Sequence, residues 1–122
     1  MTIRLTALIK KKEGMTSEEF TEYWSTNHGK IFTSLKAVKE NVVKYNQFHV
    51  LPKVTEEFAA LGMPMAPYDG AAEFWCEKKE DILALFGDEE YRKNAVPDEH
   101  NFLDRSAVQI LVGEEQLKYQ KA

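Results

Sequence analysis

Gly14-Met15-Thr16-Ser17-Glu18-Glu19-Phe20-Thr21-Glu22-Tyr23-Trp24-Ser25-Thr26-Asn27-His28 is the stretch whose reading decides the fold. Thr16 is placed as a helix N-cap, and Glu19, three residues on, can reach back to the cap's own amide, which makes a capping box. Met15 before the cap and Phe20 at the fourth helical position are spaced for a hydrophobic staple. Glu18 and Glu19 put acidic charge where the helix dipole favours it. Phe20, Trp24, His28 and Ile31 then recur at helical spacing on one face. A histidine continuing an aromatic stripe is the unusual feature of this helix.

Upstream, Ile3, Leu5, Ala7 and Ile9 alternate with Arg4, Thr6 and Leu8, the pattern of a half-buried strand. Lys10-Lys11-Lys12, ended by Glu13, is a solvated turn from that strand into the helix. Downstream, the first helix runs from Ser17 to about Asn27. Gly29 weakens it, and Ile31, Phe32, Leu35 and Val38 resume a kinked helical segment to about Glu40. A second strand covers Val42 to Leu51 and stops at Pro52. A helical turn around Thr55 to Leu61 and an irregular loop from Gly62 to Pro67 follow. Gly70 to Cys76 is a third strand, and a helix from Lys79 ends at Gly87 as a C-cap. A short helix over Asp88 to Asn94 precedes Pro97, Ser106 to Gly113 is the last strand, and the polar tail beyond Glu115 is loose.

The order βαββαβ predicts an α+β, ferredoxin-like fold, with a four-stranded antiparallel sheet carrying helices on one face. At 122 residues the chain is expected to be a single domain. Both faces of its strands carry apolar residues, so a partner chain is the economical cover for the second face. Two sheets packed face to face would form a symmetric homodimer enclosing a cavity, a dimeric α+β barrel.

Composition narrows the function classes. A formal net charge of −4 and scattered lysines give no reason to expect nucleic acid or an anionic membrane as partner. No apolar run approaches the ~20 residues of a membrane span. Cys76 is the single cysteine, which rules out an intrachain disulfide and a cysteine-rich zinc site and fits a reducing, cytoplasmic compartment. There is no glycine-rich phosphate loop or dinucleotide fingerprint, and none of the three histidines has metal-ligand spacing, so no cofactor and no metal are expected.

The second strand carries the sharpest chemical signal. Tyr45, Gln47 and His49 share one face, and a polar row costs several kcal/mol to bury unless it is paired or meets a wet or ligand-filled cavity. The bland alternative is an edge strand facing water. His28 is either a general acid/base facing that cavity or a satisfied histidine under a helix end. Asn27 could donate to a developing oxyanion or cap its helix segment. Glu73, with Gln109, joins the polar face if the register allows, or is a surface carboxylate. Asp104 either orients a histidine or caps a turn, and His100 faces solvent.

The run Gly14-Met15-Thr16-Ser17-Glu18-Glu19-Phe20 with Tyr23-Trp24 and His28 resembles the signature of the EthD domain family. Tyr45-x-Gln47-x-His49, Glu73-Phe74-Trp75, Asp98-Glu99 and Phe102-x-Asp104 continue the resemblance from about Leu5 to Val112. Where the family helix often continues His-Ala-Pro or His-Leu-Pro, this chain has His28-Gly29-Lys30. The resemblance implies a dimeric α+β barrel. It points to small fungal proteins of aromatic polyketide pathways, decarboxylases or dehydratases of anthrone and anthraquinone precursors. Plant polyketide cyclases share the fold, and other members are accessory to an oxygenase system.

The expected activity is a cofactor-independent lyase or cyclase acting on an aromatic polyketide by decarboxylation, dehydration or aldol cyclisation. His49 and His28 would move protons, with Tyr45, Gln47, Asn27, Glu73 and Asp104 binding substrate. Alternatives are a cofactor-free oxygenase of anthrone-like substrates and a non-catalytic small-molecule-binding accessory protein.

Overall fold

The computed structural model describes residues 2–122. Strands β1 (Ile3–Ile9), β2 (Lys44–His49), β3 (Gly70–Cys76) and β4 (Gln109–Gly113) form one antiparallel sheet in the order β2-β3-β1-β4. This is the ferredoxin-like arrangement expected from the element order.

Register assigns every strand residue to a face, because side chains alternate with period two. Leu5 pairs with Phe74 and Val112, and Phe74 with Tyr45. Ala7 pairs with Ala72 and Ile110, Ala72 with Gln47, and Ile9 with Gly70, which pairs with His49. Those rows lie on the helix side of the sheet, with their β4 ends Ile110 and Val112 left exposed. The rows between them, Arg4-Trp75-Lys44, Thr6-Glu73-Asn46 and Leu8-Ala71-Phe48, lie on the other face. The polar row Tyr45-Gln47-His49 therefore meets the chain's own helices, and any cavity it joins lies between sheet and helices rather than between two facing sheets.

The helical layer starts with α1 (Ser17–Glu22), runs through a π-helical turn (Tyr23–His28) and continues as α2 (Gly29–Ser34). The capping box is present: the Glu19 amide donates to the Thr16 hydroxyl at 3.1 Å, and the Thr16 amide donates to the Glu19 carboxylate at 2.9 Å. Helices α3 (Lys36–Asn41), α5 (Lys79–Gly87) and α6 (Val96–Glu99) complete the layer, with a second π turn at Tyr91–Ala95, while α4 (Pro52–Ala60) buries no residue.

Two buried clusters result. Leu5, Phe32, Leu35, Phe74 and Leu85 centre the larger, while Ile9, Phe20, Trp24 and Phe102 make the smaller, with Met15 packed on it as the staple predicts. Trp24 lies so close to the sheet that a Cβ on Gly70 would fall 2.6 Å from its ring, which explains the glycine opposite His49.

Some boundaries differ from the sequence reading. The fourth helix starts at Pro52 rather than near Thr55, because proline is preorganised for the first helical turn. The last strand starts at Gln109, since Arg105–Ala107 form a 3₁₀ turn capped by Asp104. Among the described residues, no helix is long and apolar enough to cross a membrane.

Candidate functional site

The π turn explains why a histidine continues the aromatic stripe. In an α-helix, residues four apart drift by ~40° around the axis. In the wider turn at Tyr23–His28 the Gly29 amide donates to the Trp24 carbonyl, five residues back, and the drift shrinks. Trp24 and His28 therefore both point inward, at 1% and 7% exposure. The Trp24 carbonyl also accepts from the Gln47 side-chain amide at 3.0 Å, so β2 braces the turn.

Beneath the turn, His28 Nδ1 lies 2.9 Å from Asp98 Oδ2. The other carboxylate oxygen of Asp98 accepts from the Tyr23 hydroxyl and, at 3.1 Å, from the Asn101 amide. Burial pushes the Asp98 carboxyl up, but the hydrogen bonds from Tyr23, His28 and Asn101 together hold it below its ordinary value. Burial pushes the His28 imidazole down, and Asp98 opposes this without reversing it. Near neutral pH the pair is thus a carboxylate beside a neutral imidazole. A carboxylate can only accept, so Nδ1 carries the proton and the lone pair sits on Nε2. Nε2 has no hydrogen-bond partner among the described residues and is not sealed from solvent.

His28 lies on the wall of a cavity of about 220 Å³ between the sheet and its helices. Leu5, Phe32, Phe74 and Phe102 supply apolar walls, and the polar groups are His28, Tyr45, Tyr91, Glu99 and Arg105. Burial pushes the phenols of Tyr45 and Tyr91 up, and the nearby Glu99 charge adds to this at Tyr91. Both remain hydrogen-bond donors. Burial also pushes the Glu99 carboxyl up, opposed by Arg105, whose Nε lies 3.2 Å away. An oriented imidazole lone pair facing an apolar chamber with two neutral phenols can remove a proton and stabilise an oxyanion.

Of the residues expected at the site, the structure brings His28 and Tyr45 to this cavity. His49 faces the same side of the sheet but lies against Trp24, ring centroids 4.4 Å apart, in a separate open groove beside α1 and Pro52. Its Nε2 lies 2.9 Å from the Gln47 side-chain oxygen Oε1, and its Nδ1 is buried without a partner among the described residues. The two histidines do not share a chamber. Gln47 is used up inside the protein, donating to Trp24 and, at 2.9 Å, to the Tyr45 hydroxyl.

Three expected ligands point elsewhere. Asn27 is turned to solvent by the π turn, its side-chain oxygen 2.9 Å from the Thr26 hydroxyl. Glu73 pairs in register with Thr6 on the opposite sheet face, where it meets the Thr6 hydroxyl at 3.2 Å and Arg4 at 3.3 Å. Asp104 caps the turn before β4 by accepting from the Ser106 amide at 3.1 Å, and the carboxylate that orients a histidine is Asp98. His100 is exposed, 3.4 Å from Arg105.

Asp98 as a partner of His28, and Tyr91 and Arg105 as lining groups, were not legible as site residues. Asp98 and Glu99 stood out only through the family resemblance, since 70 residues separate the dyad in the chain. Among the described residues, no group of three or more histidine, cysteine, aspartate or glutamate side chains is placed to hold a metal ion.

The fold and the buried cavity define a ferredoxin-like α+β protein with a small-molecule-sized chamber beneath its helices. The chain belongs to the EthD domain family, whose model matches residues 12–106. It is similar in structure to an ethyl tert-butyl ether D (EthD) family protein from Bacillus halodurans C-125, at TM-score 0.65 and 16% identity over 95% of this chain and 100% of that one. A dimeric protein of unknown function with a ferredoxin-like fold from Bacteroides fragilis matches at TM-score 0.64 and 11% identity, covering 93% of this chain and 96% of that one. A dimeric ferredoxin-like protein of unknown function from Thermobifida fusca matches at TM-score 0.61 and 17% identity, covering 93% and 90%. No curated protein matches the sequence.

Proposed function

We propose that this chain is a cofactor-independent lyase or cyclase acting on an enolisable aromatic compound of the polyketide type, working in the cytoplasm as a homodimer. The observation that carries this reading is the His28–Asp98 pair, with His28 on the wall of an aromatic-walled cavity that also holds two neutral phenols; Nδ1 is taken by Asp98, which leaves Nε2 as the nitrogen to act there. Carbon acids between two carbonyls, or ortho and para to phenols, need a base of near-neutral pKa and donors for the enolate oxygen. His28 supplies the first, and Tyr45 and Tyr91 supply the second. Loss of water and aldol closure proceed from such an enolate, and loss of CO₂ would generate one directly, stabilised by the same donors.

Cavity size narrows the substrate. A chamber of about 220 Å³ exceeds the ~150 Å³ that encloses benzene but is smaller than drug-sized pockets of ~300–1,000 Å³. It suits one ring or two fused rings, with anything longer projecting through the opening.

The homodimer is supported by the unpartnered sheet face, where Phe48 and Leu111 are 57% and 60% exposed, and by the dimeric relatives described above. The test is exchange of solvent deuterium into phenolic β-keto compounds, followed by product analysis. His28→Ala is expected to slow exchange by ~10²–10⁴. Exchange at the wild-type rate in that variant would overturn the reading. Turnover that required O₂ and added oxygen to the product would assign an oxygenase instead, and tight binding without exchange would assign a carrier.

A further inference from the structure

We propose that Arg105 makes the cavity selective for substrates bearing a carboxylate, which its guanidinium holds at the opening while the reacting carbon lies beside His28. This rests on the reading of the cavity as a proton-transfer site and names the substrate class it takes.

The cavity is graded from wet to dry. The Arg105 side chain is 45% exposed and His28 only 9%, so the cation stands at the solvent end and the base at the buried end. Among the described residues lining the cavity, Arg105 is the sole arginine or lysine. Its Nε edge meets Glu99 at 3.2 Å. On the opposite edge, Nη1 has only the His100 ring at 3.4 Å, and Nη2 has no partner among the described residues. A planar guanidinium whose Nη1/Nη2 edge has only the long His100 contact can meet a carboxylate in a bidentate fork in exchange for that contact, a geometry that a lysine could not offer. Glu99 balances the cation when the site is empty. Burial disfavours charge on Glu99, with Arg105 opposing that effect and Asp98 reinforcing it, and an incoming carboxylate would share the guanidinium with Glu99 by taking the Nη edge.

Holding the carboxylate this way bears on the reaction. Loss of CO₂ would carry the electron pair away from the guanidinium and onto carbon, so the ion pair stabilises the ground state more than that transition state. The bond that breaks is instead a C–H bond facing His28. Its proton goes to Nε2, and its electron pair forms the C=C bond of an enolate as the adjacent carbonyl's π pair moves onto that carbonyl's oxygen, beside Tyr45 and Tyr91. Dehydration or aldol closure on a carboxylate-bearing phenolic or β-keto compound follows from that enolate, and the carboxylate is retained.

The test is calorimetric titration of the full chain with 2,4-dihydroxybenzoate and with its methyl ester, a pair of one-ring probes that differ in the carboxylate charge and one methyl group. Wild-type protein is expected to bind the acid roughly tenfold more tightly than the ester. Arg105→Gln, at a half-exposed position, should abolish the preference and leave ester affinity unchanged, and Arg105→Lys should restore only part of it. Glu99→Gln, which removes the competing carboxylate, should tighten acid binding. Equal affinity of wild type for acid and ester, or equal loss of both in Arg105→Gln, would overturn the proposal. His28→Ala should keep the acid preference while losing proton exchange. Failure of the carboxylate assignment is thereby separated from failure of the proton-transfer reading.

Discussion

Asp98→Asn tests the dyad most sharply, because the surroundings of the carboxylate dictate how an amide would sit. One oxygen of Asp98 accepts from the Tyr23 hydroxyl and the Asn101 amide, while the other accepts from His28 Nδ1. An asparagine there must keep its oxygen toward those two donors, so its NH₂ group faces His28. Nδ1 then has to accept, the ring proton moves to Nε2, and the nitrogen facing the cavity loses its lone pair. A histidine held in the wrong tautomer by the same substitution costs ~10⁴ in rate in the serine-protease triad, so a loss of ~10²–10⁴ is expected here. The substitution also removes the negative charge that raises His28, so the acid limb of any residual rate should move to lower pH. The assay is the pH profile of deuterium exchange into a phenolic β-keto substrate, with circular dichroism confirming the fold. A wild-type rate in Asp98→Asn would refute the dyad. So would an acid limb that moved upward.

Tyr23→Phe removes one of the donors to Asp98, and exchange should fall by only about threefold to tenfold, with about 1 kcal/mol lost in chemical denaturation. His49→Ala should leave exchange within a few-fold of wild type, since Trp24 separates it from the cavity, while losing the ring contact worth about 0.5–1.5 kcal/mol. Gly70→Ala forces a Cβ against Trp24 and the Phe48 carbonyl and should destabilise the fold by about 1–3 kcal/mol, read from the denaturation midpoint. The folded His28 ring titrates below its unfolded value, so the unfolded chain binds the proton more readily and stability falls as pH drops below about 6.5. Glu99 acts in the opposite sense at lower pH, because burial raises its folded value. Comparing wild type with His28→Gln isolates the histidine. The stability gap between them should narrow as pH falls from 7 toward 5, and a constant gap would show that His28 is not held neutral.

Much of the architecture was legible in local sequence. The capping box at Thr16 and Glu19 and the alternation in Ile3–Ile9 act over a few residues, and a chain displays such features directly; Gly87, expected as a C-cap, is instead the last residue of α5, with Asp88 as the cap. Alternation also grouped Tyr45, Gln47 and His49 on one face before any partner strand was known. What alternation could not supply was the layer that this face meets. Register decides that, and the pairing of Thr6 with Glu73 sent Glu73 to the opposite side from His49.

The site itself was written across distance. His28 was legible as a histidine out of place in an aromatic stripe, but the π turn that aims it has no signature in residue spacing. Its partner Asp98 arrives from a four-residue helix at the other end of the chain. Trp24, which reads in sequence as another core aromatic, is the wall that separates the two histidines. By itself the sequence determined which residues had the chemistry to act, because side-chain type and local periodicity are properties of the chain. Tertiary structure alone decided which of them share a cavity, because burial, tautomer and charge are set by neighbours that the chain brings together only on folding.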